Sequence, residues 1–291
     1  MKKVYEFLLW DNCSNNCRFC WQRENPRIYN KKERESILQE TLKFILSNKF
    51  EEGSHILVCG GELFDKPQDF SALNLFFENI SHLMVQNTIE LLYINTNLIY
   101  KDIRGVLGML KILNQSSPDM VDLIPRIRFT TSYDVEGRFR NKDSEDIMLA
   151  NLKYITDKYP NMPVVVNTIL TKPTCEAILS GKFNINEFMN KYNCWVNLLP
   201  YIVLDNDLTA SRTLIFQTLD YVNKICPGYL EKYVPNMCIT QEKWLYMFKN
   251  NEFQFCSCEL SECGHSVNFK KYSEQGTCFC CDLQEIFGEY I

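Results

Sequence analysis

No stretch of this 291-residue chain comes near the roughly eighteen consecutive apolar residues that a membrane-crossing helix needs, so a span is excluded. The apolar residues near the N-terminus, within MKKVYEFLLWDNC, are too few for a secretory signal and are interrupted by Glu6. No internal repeat and no low-complexity tract is seen. Basic charge is not in excess either: Lys and Arg total 31 against 36 Asp and Glu, a net charge of −5. That balance argues against tight, non-specific binding to DNA or RNA, although a local basic patch stays open. With 46% hydrophobic and 23% charged residues, the chain can bury a large core, which excludes wholesale disorder. Its length suits one large α/β domain or two small ones. A cytoplasmic location is expected.

What the chain has in plenty is cysteine, fourteen in all. A disulfide framework belongs to small exported proteins, whereas clustered thiols in a long chain that builds its own core point to metal ligation or redox chemistry. Three lie at positions 13, 17 and 20, and six fall between 256 and 281. The scattered remainder, Cys59, Cys175, Cys194, Cys226 and Cys238, read as small buried apolar residues.

Up to about residue 225 the chain alternates strand-like and helix-like segments. Strands are predicted at 3–10, 55–59, 89–95, 126–132, 163–170 and 195–201, each rich in β-branched or aromatic residues and ending near Gly, Asn, Asp or Pro. Helical spacing appears at 34–47, with Ile37, Leu38, Leu42 and Ile45 on one face, and at 70–85, with Leu73, Phe76, Phe77, Ile80 and Leu83. Further helices are expected at 102–114, 144–158, 184–192 and 211–225. Six β-then-α units favour a parallel sheet with right-handed crossovers. The pattern by itself leaves an open doubly wound sheet and a partial barrel equally available. In both, functional groups collect at the C-terminal ends of the strands. The pattern breaks at Cys226-Pro227-Gly228, so the chain divides into a core, 1–225, and a Cys-rich extension, 226–291, with one short helix expected at 241–248.

Cys13-Ser-Asn-Asn-Cys17-Arg-Phe-Cys20 directly follows the first strand. Tetrahedral zinc and cubane iron–sulfur clusters usually take four protein ligands, so three local thiolates leave one position for a bound small molecule or for a distant residue such as Cys59. The spacing Cys-x3-Cys-x-aromatic-Cys resembles the signature of the radical S-adenosylmethionine (SAM) superfamily. A second motif, Cys59-Gly60-Gly61-Glu62, follows the second strand and resembles that family's Gly-Gly-Glu segment, in the order the family requires. Two glycines let backbone carbonyls approach a ligand, and a carboxylate pairs with an ammonium.

The resemblance covers residues 3–202 and implies an α/β fold, a partial (β/α)6 barrel. It implies that Cys13, Cys17 and Cys20 hold a [4Fe–4S] cluster whose fourth iron is chelated by SAM. Reductive cleavage of SAM then gives a 5′-deoxyadenosyl radical that abstracts a substrate hydrogen. It also implies that Phe19 lies near the adenine and that Gly60, Gly61 and Glu62 receive the SAM amino group. Asn97, Ser132 and Asn167, at the ends of the third to fifth strands, are candidates for the SAM ribose and carboxylate, and Arg138 for a carboxylate. Each of these four reads equally as a turn or cap residue. The family's Gly-x-Ile-x-Gly motif is not evident.

In the extension, Cys256, Cys258, Cys263, Cys278, Cys280 and Cys281, with His265, offer ligands for zinc or for a second [4Fe–4S] cluster. Cys263-x12-Gly276-x4-Cys281 resembles the first half of the SPASM and twitch extensions, which hold auxiliary clusters, without their downstream cysteines. Lys270 and Lys271 against six acids between 256 and 291 argue against a nucleic-acid zinc ribbon. His55 and His82 read as surface or core residues. Three functions follow: a radical SAM enzyme modifying a peptide or protein, with a flavodoxin- or ferredoxin-like electron donor; one acting on a nucleoside, RNA or small molecule; or a non-catalytic zinc or iron–sulfur protein.

Overall fold

The computed structural model describes residues 4–10, 12–15, 17–18, 20, 28–47, 50–115, 122–139, 141–199, 208–231, 245–249 and 252–256. Strands β1 (Val4–Leu8), β2 (Ser54–Cys59), β3 (Ile89–Asn95), β4 (Ile127–Ser132), β5 (Val164–Ile169) and β6 (Trp195–Leu199) are all parallel. They lie side by side in chain order from β1 to β6. A doubly wound sheet reverses its strand order at a switch point; from β1 to β6 this one does not, so those crossovers all wind the same way, as in a barrel. Among the described residues, strands β6 and β1 are not paired and the sheet is not closed. The architecture is a partial (β/α)6 barrel.

The helices between the strands are α1 (Lys31–Ser47), α2 (Phe70–Val85), α3 (Arg104–Gln115), α4 (Lys142–Lys158), α5 (Lys172–Leu179), α6 (Ile185–Tyr192) and α7 (Arg212–Ile225). Helix α1 starts earlier than its apolar spacing suggests because Asn30 and Glu33 form a reciprocal capping box, each side chain accepting the other's backbone N–H at 3.1 and 2.7 Å. Helix α5 is not expected from periodicity. Eight residues are too short to show a face, and its start is specified instead by Thr171, whose side chain caps the Thr174 N–H, with a proline in the first turn.

The strands alternate in burial. Phe7, Ile56, Val58, Leu92, Ile94, Phe129, Val166, Val196 and Leu198 share one face and form the core with the apolar faces of the helices. On the other face, Arg128, Thr130 and Ser132 of β4, Val165, Asn167 and Ile169 of β5, and Trp195, Asn197 and Leu199 of β6 are half-buried. Parallel sheets are ordinarily apolar on both sides. Polar residues on this concave face mark it as the functional side.

The helix expected at 241–248 is corrected: Leu245–Lys249 is a strand, β7, parallel to β1, and Glu252–Cys256 is β8, antiparallel to β7. Its Leu-Tyr-Met-Phe run suits a strand, and the open edge of β1 supplies the ladder that local spacing cannot reveal. Among the described residues, no helix is long and apolar enough to cross a membrane.

Candidate functional site

Past the end of β1, Leu9 continues the ladder by donating its N–H to the Cys59 carbonyl at 3.0 Å, and Trp10 is buried. The turn after β2 then closes onto this segment. The Gly61 N–H reaches the Trp10 carbonyl at 2.6 Å, the Glu62 N–H reaches the Asn12 carbonyl at 2.7 Å, and the Trp10 indole donates to the Glu62 carbonyl at 3.0 Å. Gly60 is needed for this approach, because a Cβ there would stand 2.7 Å from the Trp10 carbonyl oxygen. Both contacting groups are backbone, so neither side can rotate away. Gly60→Ala is therefore expected to break the two backbone hydrogen bonds, at about 1 kcal/mol each, and to lower the melting temperature measured by circular dichroism. An unchanged melting temperature would contradict the closure.

The cysteine loop is pinned from the same turn. Asp65 accepts from the Ser14 N–H at 3.0 Å and from its hydroxyl at 2.8 Å. Of the three cysteines, Cys17 is buried, Cys20 is half-buried and Cys13 is exposed. The Cys13 Sγ accepts from the Asn15 N–H at 3.3 Å and from the Asn97 side-chain amide at 3.4 Å. The Cys17 Sγ accepts from the Asn15 amide at 3.1 Å and from the Arg138 guanidinium at 3.8 Å. Burial pushes the Cys17 thiol up from its ordinary range, and the Arg138 charge opposes that shift.

N–H donors aimed at sulfur fit ligated thiolates, whose negative charge they stabilise. Among the described residues, no three His, Cys, Asp or Glu side chains converge on one ion-sized point. Cys59, the alternative fourth ligand, directs its thiol to the Glu6 carboxylate at 3.0 Å.

Glu62 is 3% exposed. Its Oε1 accepts from the Phe64 N–H at 3.0 Å and the Thr96 hydroxyl at 2.8 Å, and its Oε2 from the Asn97 N–H at 2.5 Å. Burial, the largest influence, pushes this carboxyl up to about 7 against those three donors. A carboxylate has about four lone-pair sites, so room for one more donor remains. Asn97 is held in place by the left-handed backbone of Leu98, φ 58°, and by its own Oδ1, which accepts from the Ile99 N–H at 2.7 Å.

Arg138 pairs through Nε with Asp134, which is fully buried and also accepts the Ile169 N–H at 2.6 Å. Ser132 of β4 and Asn167 of β5 are register partners on the concave face, and Asn197 donates to Asn167 Oδ1 at 3.1 Å. The structure thus gathers Cys13, Cys17, Glu62, Asn97 and Arg138 at the mouth of the barrel, with Ser132 and Asn167 at adjoining strand ends. Sequence reasoning missed Asn15, Asp65, Thr96 and Asp134. The signals were faint: an amide inside the cysteine triplet, an acid three residues after Glu62, a threonine between two asparagines and an acid four before Arg138. Phe19, Cys258, Cys263, His265, Cys278, Cys280 and Cys281 lie outside the described residues, as does the side chain of Cys256.

No protein-family model matches the sequence, and no curated protein matches it. Among solved structures, a hexahistidine-tagged anSMEcpe with bound AdoMet superimposes with a TM-score of 0.51 at 12% identity, covering 80% of this chain and 60% of that one. The native anSMEcpe with bound AdoMet gives the same TM-score and identity, over 80% of this chain and 62% of that one. The crystal structure of HydG, a maturase of the [FeFe]-hydrogenase, gives 0.47 at 13% identity, over 78% and 50%. The chain spans about three-fifths of the length of the anSMEcpe structures. At these identities the likeness is one of fold.

Proposed function

We propose that this protein, which has the open-barrel fold of radical SAM enzymes, is itself such an enzyme. Cys13, Cys17 and Cys20 hold a [4Fe–4S] cluster, and SAM binds beside it over the Gly60–Glu62 turn. The observation that carries this reading is the hydrogen-bonded closure of that turn onto Trp10 and Asn12, immediately before Cys13. Two motifs separated by some forty residues of helix and strand meet at one point, where a ligand touching both is reached from the concave face. When bound, cluster and SAM supply reductive cleavage of SAM and a 5′-deoxyadenosyl radical for hydrogen abstraction.

The residues of the chain orient that chemistry. The carbonyls of Gly60 and Gly61 and the remaining lone pair of Glu62 receive the SAM ammonium. Asn97, Ser132 and Asn167 offer amide and hydroxyl groups to its ribose and carboxylate, and Phe19 supports the adenine. The substrate enters over the concave face, where Tyr93, Arg128 and Thr130 are half-buried. A peptide is favoured over RNA by the net charge of −5. An external flavodoxin- or ferredoxin-like protein delivers the electron.

Anaerobic reconstitution with iron and sulfide, followed by SAM and dithionite, tests the reading: release of 5′-deoxyadenosine is expected. A protein that takes up iron yet releases none would instead be an electron carrier or a metal-stabilised adaptor. The cysteines from Cys256 to Cys281 form a second centre in this proposal. Metal analysis of anaerobically purified protein separates its two forms, with about eight irons for two cubanes and about four irons with one zinc for the alternative. Four irons and no zinc would remove the second centre.

A further inference from the structure

The loop after β4, residues 133–139, is fixed from four directions. Its first residue, Tyr133, packs against Phe139, Phe183 and Phe188 with ring centroids 5.1–5.5 Å apart, and its hydroxyl donates to Glu145 at 2.8 Å. Asp134 is held by the Ile169 N–H at the end of β5 and by Arg138. The Gly137 carbonyl, in a left-handed turn of φ 88°, accepts the Arg18 N–H at 2.8 Å. Glu136 pairs with the Arg18 side chain at 3.5 Å. Arg138 is thereby carried to the buried side of the cysteine loop, its Nη1 3.8 Å from the Cys17 sulfur.

We propose that Arg138 is a positioning residue that tunes the iron–sulfur cluster through the Cys17 thiolate, oriented by Asp134, and is not a ligand of SAM. The inference rests on the reading that Cys13, Cys17 and Cys20 hold a cluster. One-electron reduction, by a protein donor or by dithionite, adds one negative charge to the cluster. A fixed guanidinium beside a ligating sulfur favours that reduced form and raises the potential. The Asp134 side chain is fully buried and that of Arg138 is 11% exposed, so solvent screens this interaction weakly.

The test is a redox titration of the reconstituted protein without SAM, followed by electron paramagnetic resonance. Arg138→Gln is expected to lower the reduced-to-oxidised ratio at a fixed potential roughly tenfold, a midpoint about 59 mV more negative for a one-electron couple. Arg138→Lys keeps the charge without the planar fork that serves Asp134 and Cys17 together, and is expected to shift it less. If Arg138→Gln fails to fold because Asp134 is left unpaired, Asp134→Asn combined with Arg138→Gln removes both charges and should still lower the midpoint, by less than the single variant, because the Asp134 charge opposes that of Arg138 at Cys17. An unchanged midpoint at full iron content overturns the proposal. So does weaker SAM binding with an unchanged midpoint, which would make Arg138 a SAM ligand. Loss of iron from Arg138→Lys as well would make it an assembly residue and also overturn the proposal. Failure of the wild-type protein to show a [4Fe–4S] signal defeats the proposed function itself, and that outcome is separate from all of these.

Discussion

Replacing Cys13, Cys17 and Cys20 together by alanine is expected to abolish 5′-deoxyadenosine formation and to remove about four irons per chain, leaving the far-ultraviolet circular dichroism of the barrel intact. The loop that carries them lies outside the strands and helices that build the apolar core. Its own anchors, Ser14 on Asp65 and the Trp10–Asn12 segment on the Gly60 turn, do not use the thiols. Loss of the ligands should therefore cost chemistry rather than fold. Formation of 5′-deoxyadenosine at the wild-type rate by this variant would refute the assignment.

Glu62 carries the second large effect, and its sign follows from its environment. Burial lifts its carboxyl from 4.5 to about 7, so the folded protein keeps a proton there that the unfolded chain has already released. Its contribution favours the folded state below about pH 4.5 and is lost as pH rises through 7. A shift of this size corresponds to roughly 3 kcal/mol. SAM should prefer the ionised carboxylate, because only that form pairs with an ammonium. The affinity for SAM, measured by equilibrium dialysis of the reconstituted protein, is thus expected to rise severalfold between pH 6 and about pH 7.5, above which an α-amino group begins to lose its own proton. Glu62→Gln should flatten that rise. It also sets an amide N–H₂ against the donors of Phe64, Thr96 and Asn97 that the carboxylate now satisfies. Binding at about pH 7.5 is expected to weaken by roughly ten- to a hundredfold at unchanged iron content, matching one charge-assisted hydrogen bond. A flat wild-type profile, or loss of iron with unaltered affinity, would contradict this.

Much of this molecule is written locally. The apolar spacing of Phe70–Val85 and the β-rich run of Ile89–Asn95 agree with the structure to the residue, because burial of one face imposes its period directly on the sequence. The cysteine triplet and the Gly-Gly-Glu turn are legible for a related reason, since the proposed ligation and the close backbone approach of Gly60 each tolerate few residue types. Their position after the first and second strands followed from chain order alone.

The tertiary structure decided what depends on residues far apart in the chain. Whether six βα units form a doubly wound sheet or an open barrel turns on strand order, which no single segment encodes. Leu245–Lys249 became a strand because the edge of β1 was there to receive it, whereas its composition alone also allowed a helix. The three donors of Glu62 come from positions 64, 96 and 97, and the cation beside Cys17 comes from position 138. Hydrogen bonds and charge pairs leave no period in the sequence. They exist only once the sheet has brought the ends of its strands to one rim, so the residue types at this site were determined by the sequence and their surroundings and orientation by the fold.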